Sequence, residues 1–223
     1  GDGGTWVAIA GLGVARFADG ADAAPVRVDA FFDAPVLGGD VTAMYVDDRD
    51  GAWIAAADGQ LNQIAAGERT ARTLCETAAP AFAFTADAAS VYCATPGEVV
   101  RVGKQTGKVD RLPGGEAPLT AIVADSVRSA VYAGSRSGEL YRVAGDRLAR
   151  LDPKGARPRR IRGLAADSHG IVWVTSAETG ITRYNPSTDD YKHFGQEPYT
   201  VSYNLDTITK IAEGGGLLWI KMN

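Results

Sequence analysis

Asp167-Ser168-His169-Gly170-Ile171-Val172-Trp173-Val174-Thr175, with Gly180-Ile181-Thr182-Arg183-Tyr184 close behind, is the stretch that decides the fold. An acid followed by Ser, His and Gly reads as a tight turn, because Asp and Ser bond their own backbone and Gly accepts positive φ. The apolar, β-branched run through Trp173 then predicts a strand, Thr179-Gly180 a second turn, and Ile181-Thr182-Arg183-Tyr184 an alternating strand. Upstream, residues 161–166 form a short apolar run of small residues. The same phrase recurs on either side of this copy. Its aromatics are Trp6, Trp53, Tyr92, Tyr132, Trp173 and Trp219, spaced by 47, 39, 40, 41 and 46 residues. A period near forty residues built from strand-like segments is the signature of a β-propeller.

Each copy has four parts. The innermost strand is apolar and ends in an acid, as in Val41-Thr42-Ala43-Met44-Tyr45-Val46-Asp47 and Leu119-Thr120-Ala121-Ile122-Val123-Ala124-Asp125. The second strand carries the aromatic, the third closes on Phe17, Ile64, Val102, Val143 or Tyr184, and the fourth is polar, as befits an exposed sheet edge. These parts place four-stranded antiparallel blades at about 1–33, 41–74, 80–112, 119–151, 161–194 and 205–223 within one all-β unit, 1–223. Five are nearly whole and the sixth stops after two strands, so the expectation is an unfinished sixth blade of a longer, six- to eight-bladed ring. The aromatics are expected to pack between blade faces, where a flat side chain buries much area, and the repeated acids to cap turns.

Composition narrows the function classes. With 45% apolar residues and a net charge of −4, the chain reads as globular and has no basic stripe interleaved with aromatics, so nucleic acid is not an expected partner. No apolar run approaches the roughly 20 residues a membrane-spanning helix needs, so no membrane contact is expected within this segment. Asp47-Asp48-Arg49-Asp50 lacks the spacing and distal Glu of a calcium loop, and two Cys with two His do not make a CxxC zinc site. No metal or cofactor is therefore expected. Gly11-Leu12-Gly13 reads as a hairpin turn. For Cys75 and Cys93 a disulfide and two separate thiols both stay open.

The last two repeats, from Asp167 through Trp173 to Gly180-Ile181-Thr182-Arg183-Tyr184-Asn185-Pro186, and on through Tyr191-Lys192-His193-Phe194 and Asn204-Leu205 to Leu217-Leu218-Trp219-Ile220, resemble the two-component regulator propeller repeat. The likeness spans roughly residues 161–221 and the surroundings of Trp6 and Trp53, and fades in the middle, where Tyr replaces Trp. What the resemblance implies is the periplasmic sensory half of a bacterial membrane receptor, upstream of a kinase or diguanylate cyclase output, without catalysis of its own. The family shades into streptogramin lyase-like propellers that use His and Glu for elimination. Here only His169, in a turn, and His193, beside an outer strand, could serve such chemistry.

Ligand-binding surfaces of propellers lie in the loops between blades. The loop at 152–160 carries Lys154, Arg157, Arg159 and Arg160, and that at 195–204 carries Gln196, Glu197, Tyr199, Tyr203 and Asn204. Arginine forks match carboxylate or phosphate and Tyr stacks on flat or sugar faces, so Arg157, Arg159, Arg160, Tyr199, Tyr203 and Asn204 are the candidate contacts for a small polar or anionic ligand. The same loops suit the rest of a receptor or a second protomer. A protein-interaction scaffold is the alternative function.

Overall fold

The computed structural model describes residues 4–17, 28–176, 180–194, 208–214 and 217–222. They form an all-β propeller architecture of successive antiparallel sheets. The first sheet has three strands, β1 (Thr5–Ile9), β2 (Gly13–Phe17) and β3 (Val28–Asp33), followed by a short 3-10 turn at Ala34–Leu37. The second contains β4 (Val41–Val46), β5 (Ala52–Ala56), β6 (Gln60–Ile64) and β7 (Arg72–Glu76). The third is β8 (Ala83–Ala86), β9 (Ser90–Ala94), β10 (Glu98–Gly103) and β11 (Val109–Pro113), and the fourth β12 (Leu119–Asp125), β13 (Ala130–Ser135), β14 (Leu140–Ala144) and β15 (Arg147–Arg150). The fifth is β16 (Ile161–Ala166), β17 (Val172–Ser176), β18 (Gly180–Asn185) and β19 (Asp190–Phe194), and the sixth pairs β20 (Ile208–Gly214) with β21 (Leu217–Met222). Strands follow chain order across each sheet, so every connection is a hairpin. The outer strand β7 runs on to Glu76, two residues beyond the expected end of that blade at 74.

The chain divides into two compact units, 1–84 and 85–223. In the first, Trp6, Val14, Phe32, Leu37, Ala52, Ile54 and Ile64 form one core, with Trp6 stacked on Phe32 at 6.1 Å between ring centroids. In the second, Tyr132, Leu140, Ile161, Leu164, Val172, Val174, Tyr184 and Tyr191 form another, in which the three tyrosines make a chain of ring contacts at 6.0 and 5.6 Å. The second strands β5 and β13 are buried at every residue. Covered on both faces, they use small side chains around one large aromatic, as in Ala52-Trp53-Ile54-Ala55.

Trp6, Trp53, Tyr92 and Tyr132 are each 9% exposed or less, as the repeat predicts. Trp173 is half-buried. Trp219 corrects the expectation: it is 62% exposed. Its strand pairs with β20, and no further strand of that sheet lies among the described residues.

The innermost strands share a device the sequence pattern does not announce. Register slips by one residue at the second position of β4, β12, β16 and β20, bulging out Thr42, Thr120, Arg162 and Thr209. A bulge adds a residue to one strand of a pair, bends that strand and re-aims its side chain. Thr42 and Thr120 use the freed hydroxyl to donate to the carbonyls of Ala55 and Gly134, at 3.2 and 3.3 Å. Thr120 also reaches the Ile161 carbonyl at 2.6 Å, tying β12 to the innermost strand of the next sheet.

Candidate functional site

Three of the acids that end the innermost strands both cap a turn and hold the aromatic. Asp47 Oδ1 accepts the Arg49 and Gly51 amides while Oδ2 accepts the Trp53 indole N–H at 3.0 Å. Asp167 repeats this with His169, Ile171 and the Trp173 indole at 2.9 Å, and Asp87 with Ala89, Ser90 and the Tyr92 hydroxyl at 2.8 Å. Burial is the largest influence on Asp167 and pushes its carboxyl upward, but the Trp173, Ile171 and His169 hydrogen bonds together outweigh it and hold the group below the usual carboxylate range. Burial and the bond to Asp87 push the Tyr92 hydroxyl up to about 12. Asp125 stands seven residues before Tyr132, too far for this clasp. Its Oδ1 caps Val127 and Arg128 instead, and Oδ2 lies 3.5 Å from the Arg128 guanidinium.

Charge is spent on tying neighbouring sheets. Arg16 donates to Asp29 and, through Nε at 2.9 Å, to Asp50 in the first turn of the second sheet, which also accepts the Trp6 indole at 3.0 Å. Arg128 bonds the Gly170 carbonyl and reaches Ser187 Oγ at 2.7 Å, fastening the fourth sheet to two turns of the fifth. Asp47 and Asp50 are thus committed to Trp and Arg partners. Among the described residues no three His, Cys, Asp or Glu side chains gather as a metal site. Cys93 is buried and Cys75 half-buried.

The 152–160 loop is tied down at several points. It runs along the outer edge of the fifth sheet, where Lys154 makes a parallel bridge to Asp190, its amide donating to the Asp189 carbonyl and its carbonyl accepting from Tyr191. His193 holds it as well: Nε2 donates to the Ala156 carbonyl at 2.7 Å, and Nδ1 meets the Thr182 hydroxyl at 2.7 Å. At the far end the loop backbone presses on Gly138, where a Cβ would stand 1.9 Å from the Pro158 carbonyl and φ is +90°.

The sequence candidates separate on this frame. Arg157 and Arg150 both face Glu139 Oε1, at 3.8 and 3.2 Å, while Oε2 accepts from Ser137 and Tyr141 at 3.0 and 2.8 Å. The Tyr141 bond is the main reason the Glu139 carboxyl lies below its usual range; burial opposes it, and Ser137, Arg150 and Arg157 add to it. Burial first and Glu139 second push the Tyr141 hydroxyl up to about 12. Arg159 and Arg160 are exposed, and Arg160 adopts φ +53°, rare for a side chain of its kind. Tyr199, Tyr203 and Asn204 lie outside the described residues. His169 lies in the turn closed by Asp167. Arg162, exposed at its bulge, was missed by the sequence reading; its signal is a charged residue where three other copies place Thr.

No protein-family model matches the chain, and no curated protein matches it. Solved structures do. Virginiamycin B lyase from Staphylococcus aureus, in its selenomethionine-substituted form, is similar over 81% of this chain and 62% of its own, with 14% identity and a TM-score of 0.66. A catalytically inactive variant of that lyase with quinupristin gives 16% identity over the same shares, at a TM-score of 0.65. The WD40 β-propeller domain of Doa1 gives 15% identity and a TM-score of 0.65 over 85% of this chain and 64% of its own. The chain therefore spans a little under two thirds of these structures, and at this identity the likeness establishes the propeller fold.

Proposed function

We propose that this propeller is the ligand-binding, sensory module of a bacterial signal-transduction receptor, extracytoplasmic in placement and without catalysis of its own. The observation that carries the reading is the 152–160 loop: a cation-rich inter-blade segment held by Gly138, Asp189, Tyr191 and His193, which presents arginines from a fixed frame. Preorganised presentation is what a binding surface gains from a rigid scaffold. The two-component regulator motifs around Trp173 and Trp219 supply the receptor context. Both ring nitrogens of His193 are engaged by Thr182 and Ala156, which fits a positioning role better than proton transfer.

A protein-interaction scaffold is the second reading, and it draws on Leu217 and Trp219, exposed at alternate positions of β21. The test is a thermal-shift screen of the purified chain against small anions, sugars and amino acids. A ligand present at a hundred times its Kd stabilises the folded state by about 2.7 kcal/mol. A saturable shift for a small ligand supports the receptor; stabilisation only by protein partners favours the scaffold. Placement is tested by locating the full-length gene product in cell fractions, where a cytoplasmic product would refute the receptor assignment.

A further inference from the structure

The repeat supplies its own control for locating a site. At the bulged second position of the innermost strand three copies carry Thr, Thr42, Thr120 and Thr209, and two of these are seen spending the hydroxyl on backbone carbonyls. The fifth sheet carries Arg162 there, exposed. The residue just before the strand differs too. Asp40 and Pro118 occupy it in the second and fourth sheets, whereas Arg160 takes it in the fifth, in left-handed backbone at φ +53°. A non-glycine residue held in that region persists where its surroundings over-determine it, and such positions cluster at ligand clamps. From 153 to 166 the chain has no Asp or Glu, yet it carries Lys154, Arg157, Arg159, Arg160 and Arg162, in a molecule of net charge −4. Arg160 and Arg162 mark the departure from the repeat.

Resting on the receptor reading above, we propose that Arg160 and Arg162 form an oxyanion site at the start of β16, each guanidinium taking one anionic group of a small di- or tricarboxylate or polyphosphate ligand. A guanidinium offers two parallel N–H donors that match a carboxylate or phosphate edge. Two residues of chain separate their origins by at most roughly 7 Å, a reach suited to two oxyanions of one small molecule. The bulge at Arg162 re-aims that side chain, and the loop anchors at Gly138 and His193 keep the strand's approach fixed.

The test is calorimetric titration with citrate and with pyrophosphate, at low and moderate salt, alongside neutral sugars and amino acids in a thermal-shift screen. Arg162→Thr installs the residue that the repeat itself uses, and Arg160→Gly removes a guanidinium while suiting the left-handed backbone, so both variants keep the fold. Lys108→Gln, exposed on another sheet, is the control. The site predicts that one of the two anions binds with salt-sensitive affinity, that each arginine variant weakens it at least tenfold with the melting temperature little changed, and that the control stays within twofold. The stronger arm identifies carboxylate or phosphate as the source. Equal binding by Arg162→Thr and wild type overturns the site. Shifts with neutral ligands alone overturn the site and leave the receptor standing, whereas a chain that responds to no small ligand overturns both.

Discussion

Replacing Asp167 by Asn measures what the acid–aromatic clasp contributes. The amide keeps an oxygen for the His169 and Ile171 amides but turns an NH2 toward the Trp173 indole N–H, which the carboxylate accepts at 2.9 Å. The loss is one charge-assisted hydrogen bond, worth about 1.5–3 kcal/mol; with Trp173 half-buried and able to reach water in part, about 2 kcal/mol is expected. Asp167→Ala removes all three bonds and should cost about 3 kcal/mol. Urea unfolding followed by far-ultraviolet circular dichroism reads both, and a cycle with Trp173→Phe isolates the pair, with an expected coupling of about 1–1.5 kcal/mol. The pH dependence has a fixed sign. The folded carboxyl is held below its ordinary value, so its stabilisation is complete above the unfolded pKa, about pH 4, and is lost as pH falls through the folded one. The gap between wild type and Asp167→Asn must therefore narrow in acid. A full-sized gap that persists at pH 2, or a coupling under about 0.3 kcal/mol, would refute the clasp as a source of stability.

Gly138→Ala should destabilise by more than about 2 kcal/mol, because it combines a left-handed backbone with a Cβ driven into the Pro158 carbonyl; a melting curve unchanged from wild type would contradict the packing. Tyr191→Phe should be neutral or stabilising by up to about 1 kcal/mol, since its buried hydroxyl has no hydrogen-bond partner among the described residues, and chemical denaturation decides the sign. His193→Ala should raise amide exchange at Ala156 and its neighbours with little change in the cooperative unfolding of the second unit, because it releases the loop and not the core.

The architecture was legible because its determinants are local. A Gly with positive φ, an acid at a strand end and an aromatic six residues later are each visible in a single copy, and six copies reinforce one another. The clasp was legible in principle as well: spacings of six for Trp53 and Trp173 and five for Tyr92 match the reach of each side chain, and seven at Tyr132 breaks it. What stayed hidden was whatever depends on a second sheet. Trp219 has the spacing of its relatives, but burial is a property of what packs above it, and that is not written in its own strand. The destination of Arg157 was equally opaque, since Glu139 lies on a different hairpin, eighteen residues away. The bulges left only a faint trace, a polar residue where alternation calls for apolar.

The side chains that cross from one sheet to the next have a thermodynamic consequence. Asp50 serves Trp6 and Arg16, Arg101 reaches the Gly145 carbonyl, Thr120 reaches Ile161, and Arg128 reaches Gly170 and Ser187. A stack of hairpins without such ties would melt piecemeal, each at its own temperature. With them, the first and second sheets, and the third through fifth, share interfacial free energy, the nearest-neighbour term of a one-dimensional Ising chain. Within each unit a lesion in one turn is then felt a full repeat away, and melting becomes sharper than any single hairpin could make it.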